Sequence, residues 1–247
     1  FTKKLNIYEN PKKLMSISLG SEETTLLKLT TAYSSFINGG KLINPILIDR
    51  IQDSEGKTIF NSEKRYCKNC DDISYLSKKI PTIENNFFQV MSPETAYQIT
   101  SMLEGVIQRG TGKGLKNLNL DLAGKTGTTN ENTDTWFIGY TSNLVIGVYV
   151  GYDEPKSLGK YETGAKTAMP IFKNFVKKAI NKKDARPFKV SEGVKMVLID
   201  TKTGKKVNYR SKDTLIEVFK INQDEKSFEI DQNLNYKLSN KNIFNFY

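Results

Sequence analysis

The segments "TWFIGYT" and "NLVIGVYVGYD" set two strand-forming runs back to back, with only Ser142-Asn143 between them. A link that short returns the chain alongside itself, so the two strands pair antiparallel. Leu144 to Val150 is the longest apolar run of the chain; its length suits a buried strand and is far short of the roughly 18 residues of a membrane span.

Three amphipathic segments are placed to cover such a sheet. "SLGSEETTLLKLTTAYSSFINGGKLINP" predicts a helix over about 24–37, capped by Ser21 or Thr24, with Leu26, Leu29, Tyr33, Phe36 and Ile37 on one face and Asn38-Gly39-Gly40 as its stop. "MSPETAYQITSMLEGVIQRGTGKG" predicts a second helix over 93–109. Ser92 is its N-cap, Pro93 its first residue, and Ala96, Ile99, Met102, Leu103, Val106 and Ile107 its buried stripe. "AMPIFKNFVKKAI" predicts a third over 168–180, with Ile171, Phe172, Phe175, Val176 and Ala179 inward. "PILIDRIQDSEGKTIF" reads as a hairpin around Asp53-Ser54-Glu55-Gly56, and "VKMVLIDTKTGKKV" as another turning at Thr203-Gly204. "TLIEVF" reads as one further strand, and the Asn- and Lys-rich remainder as a polar tail. The chain contains no internal repeat.

Composition removes several chemistries. The 247 residues contain no histidine, so neither a Ser-His-Asp nor a Cys-His unit can be built from them. Any general base must be lysine, a carboxylate or tyrosine. The two cysteines, Cys67 and Cys70, stand in "RYCKNCDD", too few to close a structural zinc site. They read as a small loop disulfide or as two free thiols, and no metal or cofactor is expected. The net charge of +10 comes from lysines spread along the chain, without an Arg-rich arm or a basic run interleaved with aromatics, so no nucleic-acid partner is expected.

Ahead of the strand pair stands "LAGKTGTTNENTD". Gly124-Lys125-Thr126 matches the end of a phosphate-binding loop, but the position five before Gly124 is Asn119 rather than glycine, and strands follow instead of a helix. Lys125-Thr126-Gly127 matches the third motif of the penicillin-binding and β-lactamase class. Acyl transfer from a peptide ending in a carboxylate needs positive charge and hydroxyl donors along one ledge. Thr126 and Thr128 share a strand face because the strand period is two. Gly127 leaves the other face bare. A backbone N–H on the outer side of an edge strand can stabilise a developing oxyanion.

Three blocks, "GSEETTLLKLTTAYSSFINGGKLINPILIDRIQDSEGKTIF", "PETAYQITSMLEGVIQRGTG" and "AGKTGTTNENTDTWFIGYTSNLVIGVYVGYDEP", together resemble the C-terminal half of class A, bifunctional penicillin-binding proteins, over residues 1 to about 205. The resemblance implies an α+β fold, an antiparallel sheet covered by helices, incomplete at its N-terminus. It implies a transpeptidase part over 1–187 with a hairpin and loop insertion at 46–86, then a hairpin extension and polar tail over 188–247. Lys125 would be the third-motif lysine. Thr126 and Thr128 would bind the substrate or β-lactam carboxylate, with the Thr128 N–H as half of an oxyanion hole. Gly127 and Thr129 would line the same strand, and Trp136 would be a wall of the site or a core aromatic. The implied partners are peptidoglycan stem peptides, β-lactam antibiotics and the N-terminal half of the transpeptidase domain. The implied location is the periplasmic face of the inner membrane, reached through a segment outside this chain, a setting that lets Cys67 and Cys70 oxidise.

The nucleophile is the discrepancy. The family's S-x-x-K opens a buried helix far upstream of K-T-G, with S-x-N between them. The two S-x-x-K matches here, Ser54 to Lys57 and Ser157 to Lys160, fall in a hairpin turn and in a loop. The expectation is therefore a serine transpeptidase fragment without its own serine, inactive alone. The alternatives are a non-catalytic module binding peptidoglycan or protein, and a β-lactamase, against which the class A blocks argue.

Overall fold

The computed structural model describes residues 1–62, 66–68, 82–84, 87–181, 183 and 185–221. At its centre lie β7 (Ala123–Thr128), β8 (Asp134–Tyr140) and β9 (Val145–Gly151), antiparallel in the order β7-β8-β9. The helices are α1 (Leu26–Ile37), α2 (Pro93–Arg109) and α3 (Ala168–Ala179). Short pairs flank them: β1 (Lys41–Leu42) with β6 (Phe88–Gln89), β2 (Arg50–Gln52) with β3 (Thr58–Asn61), and β4 (Tyr66–Lys68) with β5 (Thr82–Glu84). A final pair joins β10 (Val194–Asp200) to β11 (Thr214–Lys220). Helices laid over an antiparallel sheet are the α+β arrangement expected from the sequence.

The two apolar runs form the predicted hairpin. Tyr140 pairs with Val145, and the Thr141 N–H donates to the Leu144 carbonyl at 2.9 Å around Ser142-Asn143. Both sheet faces are covered, because residues alternate between them. On one face the Phe137 ring packs at a tilt against Phe172 of α3, centroids 4.7 Å apart, both fully buried, with Ile107, Leu115, Leu118 and Leu122 around them. On the other face the buried Tyr140 hydroxyl donates to Thr100 of α2 at 3.2 Å and the ring meets Tyr33 of α1 edge-on. Close approach of α1 to β9 depends on Gly147, where any Cβ would collide with Thr30.

Local competition moved several predicted details. α1 is capped by Thr25, whose hydroxyl accepts the Lys28 N–H at 3.2 Å, and not by Ser21 or Thr24. Thr24 is drawn away, donating its hydroxyl to the Ile7 carbonyl at 3.1 Å. On α3, Phe172 and Val176 are buried as predicted, but Ile171 and Phe175 are half exposed and Ala179 is exposed. Three strands offer α3 a narrow floor, and Ala168 and Met169 fill the rest of it. Met102 of α2 likewise lies outside its predicted stripe, 60% exposed.

The turn at Thr203-Gly204 forms, held by Asp200, whose carboxylate accepts the Thr203 N–H at 2.8 Å. The hairpin read there does not extend: Lys206 makes a single bridge to Ile199, and β10 pairs along its whole length with β11, the strand read from "TLIEVF". This pair rests on α2 through Gln98 to the Val218 carbonyl at 3.0 Å and an Arg109–Glu217 ion pair at 3.1 Å. Cys67 is disulfide-bonded. Cys70 and the polar tail after Ile221 lie outside the described residues.

Candidate active site

β7 starts in the core and ends at the surface. Ala123 and Gly124 are buried, and Lys125 to Thr128 emerge. Only β8 pairs with it, so among the described residues its outer edge has no partner strand. The register fixes which backbone groups face that edge. Thr129 donates its N–H to the Asp134 carbonyl at 3.2 Å, and paired residues alternate along an antiparallel ladder. Lys125 and Gly127 therefore turn their N–H and C=O toward β8. Thr126 and Thr128 turn theirs outward. Lys125 follows the same edge with its ammonium, donating from Nζ to the Thr126 carbonyl at 2.8 Å. The edge thus carries the Thr128 N–H, a lysine charge and two hydroxyl-bearing residues within four consecutive positions.

Thr126 and Thr128 share a face, as the alternation predicts, and each hydroxyl has its own protein partner. The Thr128 hydroxyl accepts the Gly164 N–H at 3.1 Å. A hydroxyl has one hydrogen and two acceptor lone pairs, so its hydrogen stays available to a ligand. Thr126 Oγ1 lies 2.9 Å from Thr111 Oγ1. Gly164 passes so close over the strands that a Cβ there would stand 2.5 Å from the Trp136 carbonyl oxygen and 2.6 Å from that of Gly127.

Gly127 pairs with Trp136, and a Cβ on Gly127 would lie 3.1 Å from the Trp136 Cβ. The indole therefore stands on the face opposite the two hydroxyls, beside the Lys125 side chain. It donates from Nε1 to Asp134 at 3.0 Å and packs edge-on against Tyr149 at 4.8 Å. Thr129 closes the β7–β8 turn: its hydroxyl accepts the Asp134 N–H at 2.9 Å and lies 2.8 Å from the Thr133 hydroxyl. It is spent inside the turn rather than along the ledge.

Both S-x-x-K matches lie in irregular backbone, as expected. Ser54 to Lys57 makes the β2–β3 turn, in which the Asp53 carboxylate accepts the Lys57 N–H at 2.8 Å. Ser157 sits in a loop and donates its hydroxyl to the Glu131 carbonyl at 2.8 Å. Neither serine heads a helix.

Two residues of the site, Thr111 and Gly164, were not legible in the sequence. Thr111 lies in "RGTGKG", where the sequence shows only glycines after the end of the second predicted helix. Gly164 lies in "YETGAK", which carries no signal without the fold. Beneath the start of β7, half-buried Glu104 of α2 is pushed up to about 7, chiefly by loss of solvent and secondly by the charge of Asp121. Among the described residues no group of His, Cys, Asp and Glu could hold a metal ion, and no helix is long and apolar enough to cross a membrane.

A helix-covered antiparallel sheet whose edge strand bears Lys-Thr-Gly fits the penicillin-recognising class of proteins, and comparison with known proteins narrows it to the transpeptidases. The family model described as "Penicillin binding protein transpeptidase domain" matches residues 3–177. The chain is 40% identical over 248 residues to penicillin-binding protein 1A of Rickettsia prowazekii (strain Madrid E), covering 99% of this chain and 30% of that protein. It is 43% identical over 222 residues to penicillin-binding protein 1A of Rickettsia conorii (strain ATCC VR-613 / Malish 7), covering 89% and 28%. The crystal structure of penicillin-binding protein 1A from Haemophilus influenzae superimposes with a TM-score of 0.74 at 32% identity, covering 89% of this chain and 35% of that one. The chain belongs to the penicillin-binding protein transpeptidase family. It spans about 30% of the length of these curated relatives.

Proposed function

We propose that this chain forms the third-motif wall of the active site of a peptidoglycan DD-transpeptidase, which cross-links stem peptides ending in D-Ala-D-Ala through a serine acyl-enzyme and is acylated by β-lactams. The observation that carries the reading is the outer edge of β7. There the Thr128 N–H, the Lys125 ammonium and the hydroxyls of Thr126 and Thr128 converge on one unpaired strand edge among the described residues.

Each group has a role in acyl transfer. The peptide or β-lactam lies along the edge. Thr126 and Thr128 donate their hydroxyl hydrogens to its carboxylate, and Lys125 neutralises that charge and supports proton transfer at the serine. The outward N–H of Thr128 stabilises the oxyanion of the tetrahedral intermediate, where one such donor is worth about 10²–10³ in rate. Gly127 keeps the ledge thin, and Trp136 stiffens it from the opposite face. Thr129 fixes the turn that ends the strand.

Neither S-x-x-K match within these residues is placed to serve as nucleophile, so the serine, its lysine and the S-x-N loop come from residues outside this chain. The relatives' greater length leaves room for them and for a glycosyltransferase domain. On this reading residues 1–187 complete the transpeptidase domain and 188–247 extend it, on the periplasmic face of the cytoplasmic membrane. The test is labelling by fluorescent penicillin. The full-length protein takes a covalent serine adduct and the 247-residue chain alone takes none; an adduct on the isolated chain sinks the assignment of the serine to residues outside it.

A further inference from the structure

We infer that Thr111 is a positioning and specificity residue of the carboxylate-binding ledge, holding the Thr126 hydroxyl so that its single hydrogen points to the ligand. This rests on the reading of β7 as that ledge. Thr111 sits between two glycines where the chain leaves α2 and crosses to the layer of α3. The N–H groups of Gly110 and Gly112 both donate to the Val106 carbonyl, at 3.1 and 3.0 Å. A Cβ at Gly110 would stand 2.9 Å from the Val106 backbone, and one at Gly112 2.7 Å from the Ile107 side chain. The loop is therefore wound tightly onto the helix end, and the one side chain it can carry outward is that of Thr111. That side chain meets Thr126 at 2.9 Å, hydroxyl to hydroxyl.

The direction of this bond decides what Thr126 can do. If Thr126 donates to Thr111, it presents only lone pairs, which a carboxylate repels. If Thr111 donates, the hydrogen of Thr126 is free, and the incoming bond polarises it into a stronger donor. An anionic ligand selects the second arrangement. Thr128 is already in that state, because its partner is the Gly164 N–H, which can only donate. Thr111 thus does for Thr126 with a side chain what Gly164 does for Thr128 with backbone. The two hydroxyls are set as a matched pair of donors to one carboxylate.

The experiment measures β-lactam acylation of the full-length protein, resolving encounter affinity from the acylation step, with a penicillin and its methyl ester. Thr111→Val keeps the shape and removes the hydroxyl; Thr111→Ser keeps the hydroxyl. Thr111→Val is expected to weaken the encounter with the free acid about tenfold, the size of one weakened charge-assisted hydrogen bond. The same variant leaves the ester little changed, and Thr111→Ser stays within about twofold of wild type. In the Thr126→Val background the Thr111→Val effect disappears, because the two act as one unit. Equal losses for acid and ester overturn the inference, since a purely structural role lowers both. Wild-type behaviour of Thr111→Val beside an impaired Thr126→Val also overturns it and leaves the ledge intact. Wild-type behaviour of Thr126→Val removes the ledge reading and this inference together.

Discussion

The backbone N–H of Gly164 donates to Thr128 Oγ1 at 3.1 Å, joining residues 36 positions apart and clamping the loop before α3 onto the edge strand of the site. The clamp works because Gly164 carries no side chain.

Gly164→Ala would place a methyl 2.5 Å from the Trp136 carbonyl oxygen and 2.6 Å from the Gly127 carbonyl oxygen, backbone atoms that the β7–β8 ladder holds in place. Overpacking of this kind costs about 1–3 kcal/mol. Trp136 is the only tryptophan of the chain and stands in the affected strand, so its fluorescence reports the melt directly. The melting temperature is expected to fall by several degrees, and an unchanged melt contradicts the clamp.

Lys125→Ala tests the chemistry rather than the fold. The side chain is exposed and its ammonium donates to the carbonyl of its own neighbour, Thr126, so its loss unties no distant segment. The melt should stay within about 2 °C of wild type, as surface substitutions generally do. Acylation of the full-length protein by penicillin should drop about 100-fold or more, as for the loss of one preorganised charge at the reacting centre. Acylation at the wild-type rate removes Lys125 from the mechanism.

Phe172→Ala should be the most damaging single truncation on the α3 face. Phe172 is fully buried, packs at a tilt against Phe137 and fills the space over Gly139, where a Cβ would lie 2.7 Å from its ring. The expected cost is about 3–5 kcal/mol, read as a shift of the denaturation midpoint. Phe175→Ala, on the next turn but half exposed, should cost far less. Equal losses would contradict the observed orientation of α3.

Glu104 should make stability depend on pH. Its folded pKa is about 7, above the ordinary carboxylate value of 4.5, chiefly through burial. The folded state therefore holds a proton that the unfolded chain has already released, so stability falls as pH rises from about 4.5 to about 7 and is flat beyond. Glu104→Gln should melt several degrees above wild type at about pH 8 and level with it at about pH 4. Asp121→Asn should narrow the gap, since the Asp121 charge contributes to the shift. A gap of the same size at both pH values would falsify this assignment.

The sequence determined what is local in origin. The two-residue link at Ser142-Asn143 dictated an antiparallel pair. Ser92 and Pro93 marked the start of α2 to the residue, and the period of two put Thr126 and Thr128 on one face. Those features follow from backbone geometry within a few residues, and the Lys125-Thr126-Gly127 motif was legible for the same reason. What only the tertiary structure decided is which groups remain free once distant segments compete for them. Ile7 took the Thr24 hydroxyl and left the cap to Thr25, and the packing of α3 left Ile171 and Phe175 half exposed. Thr111 and Gly164 became part of the site because chain crossings, which no short window of sequence encodes, brought them to the edge of β7. A hydrogen bond needs its partners within about 3 Å. For residues 15 and 36 positions apart, only the packed fold supplies that distance.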